Sequence, residues 1–240
     1  MTLLEICVDT ADGLAAAIAG GADRIELCAA LSVGGLTPPQ SLITLASRAP
    51  VPVLVMNRPR DGDFAYTKAE AGQMHADLAA IRQAGGMVRG FATGANRPGG
   101  SLDAAVLGPL LAARGTLSAT LHRAFDLVPD PFAALEQAVA LGFDRLLTSG
   151  LETTAEKGAG LIAELILRAR GRIIVMPGGG IRPDGARDLV ARAGAIEVHA
   201  SAAVEGRTYA PDVTRLGFAA ERHARTTDEA TVRALKAALG

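Results

Sequence analysis

The chain opens with two similar apolar runs, Leu4-Glu5-Ile6-Cys7-Val8 and Arg24-Ile25-Glu26-Leu27-Cys28. Successive side chains of a β-strand point to opposite faces, so in each run a glutamate and a cysteine share one face. Burying a carboxylate costs free energy unless it is paired or hydrogen-bonded. A carboxylate and a thiol repeated on two consecutive strands therefore indicate a functional interior.

Strand-like runs and helix-like stretches alternate eight times along the 240 residues. We expect strands at 3–8, 24–28, 51–57, 87–92, 117–122, 145–149, 173–177 and 196–201, and helices at about 11–20, 38–48, 67–84, 102–114, 131–142, 156–170, 183–193 and 227–239. Eight such units predict one α/β domain spanning 1–240, a (β/α)8 TIM barrel. The segments 29–37, 58–66 and 202–225 are expected to be irregular.

A doubly wound open sheet is the rival fold, and its nucleotide-binding form needs a Gly-x-Gly-x-x-Gly turn after the first strand. Here that turn reads Asp-Thr-Ala-Asp-Gly at 9–13, so no nucleotide cofactor is evident. The one glycine cluster, at 178–180, follows the seventh strand, where barrels commonly hold phosphate.

The composition disfavours several classes of binding partner. Net charge is −1 and basic runs are short, which disfavours nucleic acid. No apolar stretch approaches the roughly 20 residues needed to span a bilayer. The first residues lack a signal-peptide pattern, so we expect a cytoplasmic protein whose two cysteines are reduced thiols.

Polar residues recur on the strand faces expected to point into the barrel, and functional groups gather at the carboxyl ends of barrel strands. The candidate acid–base residues are Glu5, Glu26, His122, Glu197 and His199. A structural ion-pair network filling the barrel is the alternative interpretation of this set.

A small anionic molecule, phosphorylated molecules included, is a second expected partner. Arg58, Arg60 and Arg123 offer planar donors for carboxylate or phosphate. Gly178, Gly179 and Gly180 could cradle an anion with backbone N–H groups at a helix N-terminus. The alternative for the three glycines is a tight strand–helix turn.

The two cysteines, Cys7 and Cys28, are candidate metal ligands because thiolates favour Cu(I). Buried thiols also serve as small apolar fillers, which is the alternative here. Neither Cys-x-x-Cys nor His-x-x-x-His spacing is present, so a structural zinc site is not indicated.

The chain resembles the CutC copper-homeostasis family over nearly its whole length. The matching strings are those at 4–7, 21–28, 34–38, 58–60 with 62–64, 120–126, 147–150, 176–181 and 197–199. The resemblance implies a barrel, a role in copper homeostasis, and self-association into a homodimer or higher homo-oligomer. It also places Cys7 and Cys28 where copper ligands have been proposed in the family.

The sequence therefore leaves two alternative functions. One is copper homeostasis with Cu(I) bound through Cys7 and Cys28. The other is a barrel enzyme of unknown reaction that acts on a small anionic substrate at the barrel mouth.

Overall fold

The computed structural model describes residues 2–240, and its centre is a sheet of eight parallel strands. These are Leu3–Val8 (β1), Arg24–Leu27 (β2), Val53–Met56 (β3), Val88–Thr93 (β4), Ser118–Leu121 (β5), Arg145–Thr148 (β6), Ile174–Pro177 (β7) and Glu197–Ala200 (β8). They pair in the order β7-β6-β5-β4-β3-β2-β1-β8. A parallel bridge between Gly178 and His199 joins the two ends, so the sheet closes into the predicted (β/α)8 barrel.

A ring of helices surrounds the strands. The helices are Ala11–Ala19 (α1), Gln40–Ala46 (α2), Lys68–Ala84 (α3), Ala104–Ala113 (α4), Pro131–Leu141 (α5), Ala159–Ala169 (α6) and Pro183–Ala193 (α7), with Pro211–Arg215 (α8) and Glu229–Leu239 (α9) near the C-terminus. The last of them, α9, packs against α1 and α7 and so completes the ring. Within residues 2–240 no helix is long and apolar enough to cross a membrane.

Local sequence explains where several helices begin. Thr10 accepts a hydrogen bond from Gly13 N–H at the start of α1. Thr67 and Glu70 form a reciprocal capping box at the start of α3. Pro131 occupies the first turn of α5, where its missing N–H leaves no hydrogen bond unmade.

The two strand faces divide the molecule into an apolar outer layer and a polar interior. On β1, Leu4, Ile6 and Val8 belong to the hydrophobic core shared with the helices. The alternate residues Glu5 and Cys7 face the barrel axis. Because Cys7 is in register with Glu26, and Glu5 with His199, the polar groups predicted on separate strands meet in one interior.

Residues 202–225 were expected to be irregular, and that expectation is wrong. Ala203–Thr208 (β9) and His223–Thr227 (β10) form an antiparallel hairpin, with α8 in its connection. None of the residues of β9 or β10 is buried, and the hairpin therefore lacks the hydrophobic alternation by which strands are recognised. It lies between β8 and α9, on the side of the barrel where strands end.

The packing of α9 on α1 gives a test of how the ring closes. A Cβ on Gly20 would lie 2.5 Å from Cβ of Val232 in α9 and 2.8 Å from the carbonyl oxygen of Glu229. Gly20→Ala should therefore destabilise the fold by about 1–3 kcal/mol through overpacking. Urea unfolding of the purified variant measures this.

Gly72→Ala is the matched control. Gly72 lies inside α3 with no atom near the position of an added Cβ. Alanine there should stabilise the chain by about 1 kcal/mol through helix propensity. Equal stability of the two variants would contradict the described contact between α1 and α9.

Candidate functional site

A buried arginine organises the lower part of the barrel interior. Nε of Arg24 donates to Oε2 of Glu5 at 2.5 Å, and its Nη2 donates to Oε2 of Glu197 at 2.5 Å. Arg145 donates to the same oxygen of Glu197 at 2.9 Å. Arg24, Glu5 and Glu197 are all buried. Glu5 and Glu197, two of the candidate acid–base residues, are therefore engaged in an ion-pair network.

This network determines the protonation of Glu5. Burial alone would raise the pKa of that carboxyl, but the Arg24 guanidinium and the hydrogen bond from His199 lower it to about 2. Glu5 therefore remains a carboxylate at neutral pH, and the arrangement leaves it no proton to donate in acid catalysis.

His199 stands above this network on β8. Its Nδ1 lies 2.8 Å from Oε1 of Glu5, and its Nε2 lies 3.9 Å from Oε2 of Glu26. Burial alone would lower the pKa of His199, but Cys7, Glu26 and Glu5 beside the ring raise it well above 6.5. Glu5 thus fixes the ring so that Nε2 faces Cys7 and Glu26.

Three side chains form a group able to hold a metal ion. One ligand atom each from Cys7, Glu26 and His199 lies within 4.8 Å of the others, and all three residues are buried. They come from β1, β2 and β8, which are neighbours in the sheet. Each of these three residues was a sequence-predicted candidate, and the closed barrel brings them together.

Cys28 does not belong to that group. Its Sγ lies 3.6 Å from Oε2 of Glu26, and it packs with Met56 and Ala92 in a small apolar cluster inside the barrel. Burial and the neighbouring Glu26 raise the pKa of the Cys28 thiol well above its usual value of 9.0. Cys28 therefore has the environment of a neutral packed thiol.

Glu26 carries a polar atom without a partner. Its Oε1 is buried and accepts no hydrogen bond within residues 2–240. Burial raises the pKa of this carboxyl. A buried unpaired oxygen requires an explanation, and a bound ion or water beside the thiol and the imidazole would supply one.

Arg58, at the end of β3, joins two loops of the mouth. Its Nη1 donates to the carbonyl oxygens of Val33 and Gly35, and its Nη2 donates to that of Gly62. The guanidinium also lies over the ring of Phe64 at 4.9 Å. Two of its three nitrogens are thus committed to backbone carbonyls.

The other two candidate arginines are ion-paired. Arg60 binds Glu70 and Asp63, and its side chain is about one-third exposed. Arg123 binds Asp126 at 2.7 Å and donates to Ser149 at 2.8 Å. Arg60 and Arg123 are therefore engaged by carboxylates, whereas Arg58 is not.

The three glycines form a tight turn between β7 and α7. A Cβ on Gly178 would meet Cδ1 of Leu147 and lie 3.2 Å from Cβ of His199, so a side chain at this position would force Leu147 to move. Gly179 and Gly180 have φ values of +109° and +73°, which favour glycine. Packing and backbone conformation explain all three, and Gly179 also borders the Arg123 guanidinium.

His122 lies apart from the metal-capable group. It follows β5, and its Nδ1 accepts a hydrogen bond from Ala124 N–H. The Phe64 ring covers it at a centroid distance of 4.9 Å. Burial and the nearby charge of Arg58 lower the pKa of His122 to about 3, so the ring is neutral.

Sequence reasoning missed the residues that hold the candidates in place. Arg24 shares the face of Glu26 by the same alternation that identified Glu26, so parity could have found it. Arg145 could have been found in the same way at the start of β6. The role of Phe64 depends on loop geometry, and no local pattern indicates it.

The fold and the interior define a class, a parallel (β/α)8 barrel with a buried thiol–imidazole–carboxylate group where its strands end. The CutC family model matches residues 2–204. The family protein CutC of Sinorhizobium medicae is 48% identical over 237 residues, covering 99% of this chain and 96% of its own. The chain therefore belongs to the CutC family.

Two further relatives carry copper in their names. The human "Copper homeostasis protein cutC homolog" is 45% identical over 203 residues, covering 83% of this chain and 73% of its own. The crystal structure of the putative copper homeostasis protein CutC from Streptococcus agalactiae has a TM-score of 0.79 at 29% identity, covering 84% of this chain and 99% of its own. The family match ends at residue 204, so most of the hairpin and all of α9 lie beyond it.

The Arg24 network can be tested by removing its centre. Arg24→Met leaves two buried carboxylates without their partner and should destabilise the fold by about 3–5 kcal/mol at pH 7. The lowered pKa of Glu5 contributes stability that is complete above its ordinary value of 4.5 and is lost as the pH falls towards about 2. The free energies of unfolding of the parent and of Arg24→Met should therefore lie closer together when urea unfolding is repeated at an acidic pH between these two values.

Arg192→Met is the control for loss of an arginine. Arg192 pairs with Asp188 at the surface, where both side chains are more than half exposed. Its loss should change stability by about 0.5 kcal/mol or less at either pH. If the loss in free energy of unfolding caused by Arg24→Met does not change with pH, the described role of Glu5 is contradicted.

Proposed function

We propose that this protein binds Cu(I) at the barrel mouth through Sγ of Cys7 and Nε2 of His199, as its part in copper homeostasis. The observation that carries the proposal is the clustering of ligand atoms from Cys7, Glu26 and His199 within 4.8 Å. The unpartnered Oε1 of Glu26 beside them supports a bound ligand at this place.

The donor set favours a soft cation. A thiolate selects Cu(I), and imidazole suits copper as well. Zinc also accepts sulfur, nitrogen and carboxylate ligands, so the coordination chemistry alone admits it. The names of the human and streptococcal relatives refer to copper homeostasis, and this supports copper.

The surroundings of His199 suit a metal ligand. Its Nδ1–H donates to Glu5, an arrangement that orients a ligating histidine and increases its basicity. Glu5 is held in turn by Arg24. A metal would displace the proton from Nε2 and be held by a ring whose orientation is already fixed.

The proposal revises the role expected of Cys28. The sequence interpretation paired Cys7 with Cys28, whereas the metal-capable group contains Cys7 with His199 and Glu26. We therefore assign Cys28 to packing beside the site, where it contacts Met56 and Ala92. A cytoplasmic location and self-association stay predictions from the sequence.

Substitution of each cysteine in turn tests this assignment. Cys7→Ala should lower the affinity for Cu(I) by more than the roughly 100-fold that loss of a ligand's hydrogen-bond partner costs. Cys28→Ala should keep one Cu(I) per chain, with affinity within about tenfold of the parent. Titration against a colorimetric Cu(I) chelator under reducing conditions measures both.

Two outcomes would overturn the proposal. If the parent binds no Cu(I), or if Cys7→Ala binds it as tightly as the parent, the site is not a copper site. Parallel titration with Zn²⁺ separates the metals, because tighter zinc than copper binding at matched free-metal concentrations would assign the same residues to zinc. Thermal unfolding of each variant without metal checks that the fold is intact.

A further inference from the structure

Arg58 is a buried cation without a carboxylate partner. Arg58 is only 4% exposed, and it forms no ion pair with any of residues 2–240. The buried charges of the Arg24 network are paired by contrast, Arg24 with two carboxylates and Glu197 with two arginines. Burying an unpaired charge costs free energy, so a counter-ion beside the Arg58 guanidinium would be stabilising.

The guanidinium also retains a free donor. Nη1 and Nη2 donate to three backbone carbonyls, but Nε of Arg58 is buried with no hydrogen-bond partner. Carbonyl oxygens satisfy N–H groups without neutralising a charge. What is unmet at Arg58 is therefore one hydrogen bond and one negative charge.

Tyr66, a titratable neighbour of Arg58, does not supply that charge. Burial raises the pKa of Tyr66 to about 12, against the opposing effect of Arg58 beside it. The Tyr66 hydroxyl is therefore neutral at physiological pH. It lies beside the Arg58 guanidinium, but its buried oxygen forms no well-aligned hydrogen bond with that group. A neutral phenol can lie beside Arg58 without compensating its charge.

His122 provides a second unused donor nearby. Because Nδ1 accepts from Ala124 N–H, the proton of the neutral ring is on Nε2. That Nε2 is buried and has no partner, and the residue is 3% exposed. By strand alternation His122 points inside the barrel, since Leu121 before it belongs to the outer core.

Phe64 lies beside both donors, and the charge of Arg58 is felt at the His122 ring. The Arg58 guanidinium carbon and the His122 ring each lie 4.9 Å from the Phe64 ring centroid. The Phe64 carbonyl accepts from Asn96 N–H at 2.8 Å, which fixes the loop over the mouth. A cationic donor and a neutral donor thus border the same aromatic ring.

We propose that this part of the mouth binds a small monocarboxylate that carries a second acceptor, such as a 2-oxo acid. The carboxylate lies against Nε of Arg58 and supplies the missing negative charge. The carbonyl oxygen accepts from Nε2 of His122. This site is separate from the metal-capable group and goes beyond the copper proposal.

The charge and donor count favour a carboxylate over a phosphate. Arg58 offers one positive charge and one free N–H, which matches a singly charged carboxylate. A phosphate dianion would leave a second negative charge buried without a partner. The other arginine close to the mouth, Arg123, is already neutralised by Asp126.

Calorimetric titration of the metal-free protein with pyruvate, acetate and inorganic phosphate tests the site. The parent should bind pyruvate more tightly than acetate or phosphate. His122→Phe keeps an aromatic ring beside Phe64 but loses the donor, and it should weaken pyruvate binding about tenfold while leaving acetate binding unchanged. Arg58→Gln should abolish binding of both carboxylates.

Controls separate this site from its neighbours. Arg123→Gln removes the ion-paired arginine and should bind pyruvate like the parent. Cys7→Ala should do so as well, so this proposal and the copper proposal can fail independently. Since Arg58 holds two loops, Arg58→Gln is interpreted only if its thermal unfolding is cooperative, and His122→Phe decides the question if it is not.

Three results would overturn the proposal. One is no pyruvate binding at tens of millimolar, which would mean that ordered water satisfies the two donors. The second is equal pyruvate binding by the parent and His122→Phe. The third is loss of binding in Arg123→Gln, which would place the anion at the turn formed by the three glycines.

Discussion

The interior of this barrel depends on Arg24 and its two carboxylates. A guanidinium at the middle of a barrel takes the place of the aliphatic layer that usually fills it. Because Arg24 fixes Glu5, and Glu5 fixes the His199 ring, the orientation of an imidazole at the mouth is determined by a cation at a lower level. Replacement of the ion pairs by apolar side chains could yield a stable barrel, but it would leave His199 without the partner that orients it.

Much of the architecture could be predicted from the sequence because it is repetitive. Eight alternations of short apolar runs with helical stretches admit few folds, and residue parity places Glu5, Glu26 and His199 inside with no further information. The hairpin at 203–227 escaped prediction because its strands are held by backbone pairing and carry no buried face. Hydrophobic periodicity detects burial, and an exposed hairpin has little of it.

The residues of the candidate site also fall into those that the sequence pattern could predict and those that required the structure. Parity identified which side chains enter the barrel, but it could not show which of them meet there. Cys7 and Cys28 occupy equivalent places in their sequence runs, yet Cys7 lies with His199 whereas Cys28 lies with Met56. The difference arises from the strand register, since Cys7 is level with Glu26 and Cys28 lies one pleat beyond it. In the same way Arg58 and Arg123 looked equivalent, and only their contacts show that one is unpaired.

The two interior histidines have a joint consequence for the electrostatic field of the mouth. The pKa of His122 is lowered to about 3 and that of His199 is raised well above 6.5, so neither ring changes its charge in the range where histidines ordinarily titrate. In the metal-free protein one wall of the mouth thus carries a cation and the other a dipole. At these two rings a molecule entering the barrel meets the same polarity in mildly acidic and in neutral solution, and the group of the mouth whose pKa burial shifts towards that range is the Glu26 carboxyl.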